Sequence, residues 1–222
     1  MAGLRERQKE QRREEMLSAA LSLFRSRGYE FVKLEEIAEE AGFSAGTLYG
    51  YFKTKKDLLL AVLVKDFEYG FFCGKQTLDG PATDAISAIN QLTRCHFAHR
   101  EAGPTSEMWR FAVAAFLSHP KSEFSRQYET CLFRIHRQYV RLIRKLKADG
   151  HLPQSVCPEE MATFLDSTAN MGFLEYIRKE SACEAEFEAQ QQRLNHRIVD
   201  WARKSAPQPG SSNLGNLEVD PS

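Results

Sequence analysis

The segment Phe43-Ser44-Ala45-Gly46-Thr47-Leu48-Tyr49-Gly50-Tyr51-Phe52-Lys53-Thr54-Lys55 gathers hydroxyl, phenol and ammonium groups on a short stretch. Hydroxyls and phenols donate to phosphate oxygens, and ammonium groups release counterions from them, so the chemistry on offer is contact with a nucleic-acid backbone. Lys53, Lys55 and Lys56 form one basic cluster. Arg5, Arg7, Lys9, Arg12 and Arg13, set against Glu6 and Glu10, form another. Solvated helix ends have the same composition, so charge alone does not decide. Formal net charge is zero over 222 residues, and no global basic field announces nucleic acid. Catalytic chemistry has less to stand on. There is no Gly-rich phosphate loop, no HExxH and no nucleophile elbow. The adjacent carboxylates Glu14-Glu15, Glu35-Glu36 and Glu39-Glu40 read as solvated helix faces. No enzyme, resident cofactor or metal is expected.

Two short helices position the segment. The pattern Leu34 to Ala41 is helical and stops at Gly42. Ser44 is placed to cap a second helix, from Ala45 to Tyr51, by accepting a first-turn amide proton. Leu48 and Phe52 are four apart and face inward, which turns Thr47, Tyr49, Gly50 and Tyr51 outward. A helix, a Gly-containing turn and a second short helix make a helix-turn-helix, whose second helix enters the DNA major groove. An ordinary helical hairpin shares this geometry, and the residues separate the two. Phe24, Gly28-Tyr29, Ile37-Ala38, Ala41-Gly42, Thr47-Leu48-Tyr49, Tyr51-Phe52, Lys55 and Leu58-Leu59 resemble the N-terminal domain of the TetR family of transcriptional regulators. The resemblance runs from about Glu14 to Val64. The rest of the chain offers only a compatible helical layout.

The expected fold is all-α: a three-helix DNA-binding head joined by a fourth helix to a helical body. Residues 1–13 read as a basic flexible arm, 14–54 as the head, 55–204 as a ligand-binding and dimerisation domain, and 205–222 as a disordered tail rich in Pro, Gly, Ser and Asn. Met16, Leu17, Ala20, Leu21 and Phe24 give the first helix one apolar stripe. Phe31 and Val32 are expected in the core. The fourth helix starts after Thr54 and is expected to end near Phe72, because Gly74, Gly80 and Pro81 read as a linker. Five further helices follow: from Asp84, from a Ser106 cap, from Lys121 to Asp149, from Pro158 to Lys179, and from Glu184 to Arg203. In the last, Phe187, Gln191, Leu194, Ile198 and Trp201 form a heptad-like seam. The charged N-terminus and the lack of a long apolar run predict a cytoplasmic chain with no membrane partner. Five scattered cysteines without a CxxC pair predict free thiols.

The resemblance implies a homodimer built on the last two helices, with Phe164, Thr168, Gly172, Leu194, Ile198 and Trp201 at the interface, and a palindromic double-stranded operator. It implies DNA contact by Ser44, Ala45, Gly46, Thr47, Tyr49, Gly50, Tyr51 and Lys55, and Lys33, where the family usually has a threonine, would replace that residue's phosphate contact by charge. Thr47 and Ala45 would meet thymine methyls, Tyr49 and Tyr51 would hold phosphates, and Lys55 matches the family's phosphate-contacting lysine. No Arg, Asn or Gln stands on this helix for bidentate base contacts, so DNA shape would carry part of the specificity. Val32 and Lys33 replace the family's usual threonines, which removes a helix cap at a cost of about 1 kcal/mol. Finally, the resemblance implies a body that binds a small, mainly apolar or amphipathic effector and then releases DNA. Phe97, Met108, Trp109, Phe111, Phe116, Phe133, Tyr139, Phe164 and Met171 are the pocket candidates. His96, His99 and Glu107 could anchor a polar end. A metal- or thiol-responsive body is the alternative, with His96 and His99 sharing a face and Cys131 supplying a thiolate. A helical interaction module without DNA binding is the alternative of another class.

Overall fold

The computed structural model describes residues 2–82, 84–97, 102–179 and 183–205. Among them are nine α-helices and no strand: α1 (Ala2–Arg27), α2 (Leu34–Glu40), α3 (Ala45–Tyr51), α4 (Lys55–Asp79), α5 (Ala85–Phe97), α6 (Ser106–Ser118), α7 (Glu123–Ala148), α8 (Pro158–Arg178) and α9 (Glu184–Lys204). The all-α reading holds. None of these helices is long and apolar enough to cross a membrane.

Helix α1 corrects the expected arm: residues 2–13 continue the helix that was expected to begin at Glu14. Arg, Glu, Gln and Lys are good helix formers. Gln11 donates to Glu15 at 2.9 Å, one turn on. Residues 3–12 are all exposed, so the extension stands on local propensity rather than packing. Behind it, Met16, Leu17, Ala20 and Phe24 are buried, as the stripe requires. Phe31 is 74% exposed and stays out of the core that Val32 enters. Adjacent residues in extended backbone point to opposite sides, so only one of the two can turn inward.

Helix α4 is the second correction. It runs unbroken through Cys73 and Gly74 to Asp79, where a linker was expected. Gly74, which suggested a break, is a place of close approach, as is Gly70 one turn before it. A Cβ on Gly70 would sit 2.9 Å from the Cys95 carbonyl oxygen, and one on Gly74 would meet Leu92 at 3.0 Å and the Gln138 side chain. The helix can thus lie against α5 and α7 together. Its first half belongs to the head and packs on α1; its second half is the spine of the body. Helix α7 packs on α4 and α8, α9 on α8 and α5, and α6 on α7 and α8.

The head is fixed to the body by a few specific contacts besides α4. Tyr29 packs on Phe111 with ring centroids 4.7 Å apart. Arg25 Nη1 donates to the Gly103 carbonyl at 2.6 Å.

Cys73 and Cys95 form a disulfide between α4 and α5, which overturns the expectation of five free thiols. The two cysteines are 22 residues apart, and only the packing of α4 on α5 brings them together. Cys131, Cys157 and Cys183 are free. Burial pushes the Cys131 thiol up to about 11.

Beside the disulfide lies His96, packed against Phe71 and bonded through Nε2 to Gln138 Oε1 at 2.7 Å. Burial holds its pKa down at about 4, so the ring is neutral in the native state. An unfolded chain takes up this proton near pH 6.5, and the native state does not until about pH 4. This group therefore leaves stability unchanged above that window and lowers it as pH falls through it. The wild type should lose about 2–3 kcal/mol more stability between pH 7 and pH 4.5 than His96→Gln, read from urea denaturation at the two pH values.

Candidate nucleic-acid interface

The outward surface of α3 is built from its cap upward. Ser44 Oγ accepts from the Thr47 amide at 3.2 Å, as its type and place predicted. The same oxygen lies 2.8 Å from Thr47 Oγ1. The Thr47 hydroxyl is thus held at the cap. Leu48 is fully buried and Phe52 nearly so, and these anchors set the helix's rotation. Gly46, Tyr49 and Gly50 are exposed, and Ala45, Thr47 and Tyr51 are half-exposed, so the six predicted reading positions share one accessible surface. Gly42, at φ +75°, lets the chain leave α2 and turn back toward α3, with the Phe43 amide donating to Ala38 O at 2.8 Å.

The start of α2 resolves the missing cap. Lys33 is the N-cap and has no side-chain acceptor to offer the helix. Half of a capping box survives: Glu36 Oε2 accepts from the Lys33 amide at 2.7 Å. That bond, then the Arg27 guanidinium 2.8 Å away, holds the Glu36 carboxyl below the usual carboxylate range. The Lys33 side chain is left exposed beside the α3 surface.

Two predicted phosphate contacts are altered by their neighbours. Lys55 is the larger correction. Its Nζ donates to the carbonyls of Tyr29, Glu30 and Val32 at 2.8, 3.0 and 3.1 Å, and it sits over the Tyr29 ring at 4.6 Å. An ammonium has three protons, and all three are spent on the loop between α1 and α2. Desolvation lowers the pKa of this ammonium and raises that of Tyr29 to about 12. Lys55 is therefore a structural clasp, and the exposed ammonium groups nearby are Lys53 and Lys56. Lys53 Nζ reaches back to the Tyr49 carbonyl at 3.2 Å, over the end of α3.

The second altered contact is Tyr49, whose hydroxyl donates to Glu35 Oε1 at 2.7 Å. The bond lowers the pKa of Glu35 and raises that of Tyr49. The sequence reading placed Glu35 only on a solvated helix face. It lies 14 residues from Tyr49, and no sequence spacing joins them. A carboxylate at this surface repels phosphate and accepts from donors such as cytosine N4.

In the body, the pocket candidates divide. Phe97, Met108, Trp109 and Tyr139 are buried. Trp109 and Phe97 pack on Phe173, with ring centroids 5.3 and 5.9 Å apart. Phe111 packs on the head, and Phe116 on Tyr128. Phe133, Phe164 and Met171 face outward at 60%, 52% and 59% exposure, so they do not line an interior pocket. The interface candidates divide too. Phe164 packs on Trp201 at 5.9 Å, and these two with Met171 are exposed, next to half-exposed Thr168, Leu194 and Ile198. Gly172 is a correction: it is buried against this chain's own α9, where a Cβ would meet Gln191 and Phe187.

Of the ligands of the metal alternative, His96 is bonded to Gln138, Cys131 is a free, buried thiol, and His99 lies outside the described residues. No group of three His, Cys, Asp or Glu side chains placed to hold a metal occurs among the described residues. Glu107 lies beside Gly28 of the head, away from His96.

Residues 16–62 match the family described as bacterial regulatory proteins, tetR family. The transcriptional repressor KstR of Rhodococcus jostii is 43% identical over 58 residues, 26% of this chain. The chain therefore spans about a quarter, 27%, of that relative's length. Solved structures extend the likeness across the body. A TetR/AcrR-family regulator from Thermobifida fusca is 25% identical, covers 83% of this chain and 96% of its own, and has a TM-score of 0.63. FadR of Bacillus subtilis, solved with stearoyl-CoA, is 16% identical, covers 84% and 97%, and has a TM-score of 0.62.

The clasp makes a measurable distinction. Lys55→Met should lower stability by about 1–3 kcal/mol in chemical denaturation, because it leaves three carbonyls without their common donor. Lys53→Ala should leave stability within about 0.5 kcal/mol of wild type.

Proposed function

We propose that the chain is a homodimeric, DNA-binding transcriptional regulator of the TetR family, whose model its residues 16–62 match. On this reading it is a cytoplasmic repressor that leaves a palindromic operator when a small, mainly apolar effector binds the body. The observation that carries the DNA reading is the accessible α3 surface, anchored by Leu48 and flanked by the exposed cations Lys33, Lys53 and Lys56. Arg5, Arg7, Lys9 and Arg12 along the exposed turns of α1 add positive charge. Thr47 presents its methyl group and Ala45 its own, which suits thymine. Tyr49 acts with Glu35 as one unit at the base edges, in place of the phosphate contact expected of it alone.

The apolar patch of Phe164, Met171 and Trp201 supports pairing with a second copy through α8 and α9. Two-fold symmetry would then set two α3 helices in successive major grooves. The effector reading draws on the aromatic core around Trp109 and on the FadR neighbour's stearoyl-CoA. The body's rings fill the space between α5 and α8, so an effector must part them. That cost is the means by which binding would shift α4 and the head. The Cys73–Cys95 disulfide supports a second reading, in which thiol oxidation sets the state of α4 against α5.

The test starts with selection of bound sequences from random duplex DNA and a salt titration of the best one. A palindromic consensus and a steep salt slope are expected. Lys53→Ala should reduce that slope by about one without changing the consensus, and an absence of sequence preference would remove the regulator reading. The same titration after dithiothreitol separates the two modes of control, since equal affinity would remove the thiol reading. In sedimentation velocity, Trp201→Arg should weaken the dimer by about 30-fold or more, a loss of about 2 kcal/mol.

A further inference from the structure

Helix α9 buries two amides where an apolar seam was expected. Gln191 and Asn195, one turn apart, are 2% and 0% exposed. Their hydrogen bonds run to α5 and α8. The Thr93 hydroxyl donates its one proton to Ile89 O at 2.9 Å, so its oxygen must accept from Asn195 Nδ2 at 3.2 Å and from Tyr139 at 2.9 Å. The other Asn195 amide proton goes to Asn90 Oδ1 at 2.9 Å. Gln191 Nε2 points at Thr168 O, 3.4 Å away. Both amide protons of Asn195 and one of Gln191 are thereby committed. Asn195 Oδ1 and Gln191 Oε1 have no hydrogen-bond partner among the described residues. A buried acceptor without a donor costs about 1–3 kcal/mol, and here two such oxygens belong to residues one turn apart on α9.

Both residues line a recess of about 10 Å³ between α5 and α9. This is about the space of one water or one hydroxyl or ammonium group. Its mouth is formed by Arg94, Glu188 and Gln192, and Arg94 and Glu188 hold each other at 3.4 Å. The mouth lies on a different stripe of α9 from Leu194, Ile198 and Trp201, so a dimer through that face leaves it open.

We propose that this recess binds the hydrogen-bond-donating end of a small molecule, a primary ammonium or a hydroxyl, on Gln191 Oε1 and Asn195 Oδ1. The two unpartnered atoms at its base are acceptors, which match a donor end and not a carboxylate or phosphate. The site does not depend on the DNA reading, although α5 is tied to α4 by the disulfide and α9 carries the pairing face, so an occupant would touch both.

The test uses the full chain labelled with ¹⁵N and follows the side-chain amide signals of Asn195 and Gln191. The probes are methylammonium, ethylene glycol and acetate at millimolar concentration. A saturable shift with methylammonium or ethylene glycol and none with acetate is expected. The probe that saturates first tells whether the donor end is charged or neutral. Gln191→Leu should weaken the effective probe about tenfold, and it keeps the assay usable should Asn195→Leu fail to fold. No saturable shift with either donor probe would overturn the proposal, as would an equal response to acetate.

Discussion

The close approach of α4 to α5 and α7 is the contact on which the other parts depend. Gly70 lies against the Cys95 carbonyl and Gly74 against Leu92 and Gln138, so helix backbones meet where side chains would hold them apart. Interiors are close-packed, and such a contact resists small changes of spacing. Several polar arrangements then become possible. Gln138 Nε2 reaches across to the Phe71 carbonyl at 3.0 Å while its oxygen meets His96. Cys73 and Cys95 fall within bonding distance. Helix α4 is continuous from Lys55 to Asp79, so one unbroken element carries both this crossing and the contact with the head.

At the head, the same economy appears in the loop between α1 and α2. That loop has three carbonyls converging on one point, which water or a cation must satisfy. Lys55 fills the place from the first turn of α4, and Tyr29 covers it while packing on Phe111 of the body. One lysine thus links the loop, the start of α4 and the head–body contact. The family resemblance points to this lysine as a phosphate contact, yet the geometry gives it inward work, and the neighbouring Lys53 and Lys56 take the outward position.

Much of the fold was legible because local signals and long-range packing agree. Ser44, Gly42, Leu48 and Phe52 each specify α3 by a nearest-turn rule, and α3 starts and ends where those rules put it. The errors fall where a residue's role is set by a distant helix. Gly74 reads as a breaker locally but serves a crossing with α7. Cys73 and Cys95 read as unpaired because their meeting depends on the packing of α4 on α5. The buried side of α9 carries Gln191 and Asn195 in place of apolar residues, so hydrophobic periodicity favoured its outward stripe. At the α3 surface, the positions were legible, but the Tyr49–Glu35 bond and the diversion of Lys55 were not. Both depend on how separate segments are set side by side.

The charge balance of the head bears on how it could read DNA. A surface with zero net charge over the whole chain gains no long-range attraction, so local cations must do the clamping. Glu35 lies among them, and its carboxylate is held ionised by the Tyr49 hydroxyl and its own backbone amide. Near phosphate such a group weakens binding to every sequence alike. It is compensated only where a base-edge donor meets it, and then the repulsion becomes discrimination, because a site without that donor leaves the charge unpaired. Asn, Gln and Arg are absent from α3. If α3 reads DNA as proposed, the strongest sequence preference open to this surface would come from an acid positioned by a phenol, reinforced by the methyl groups of Thr47 and Ala45.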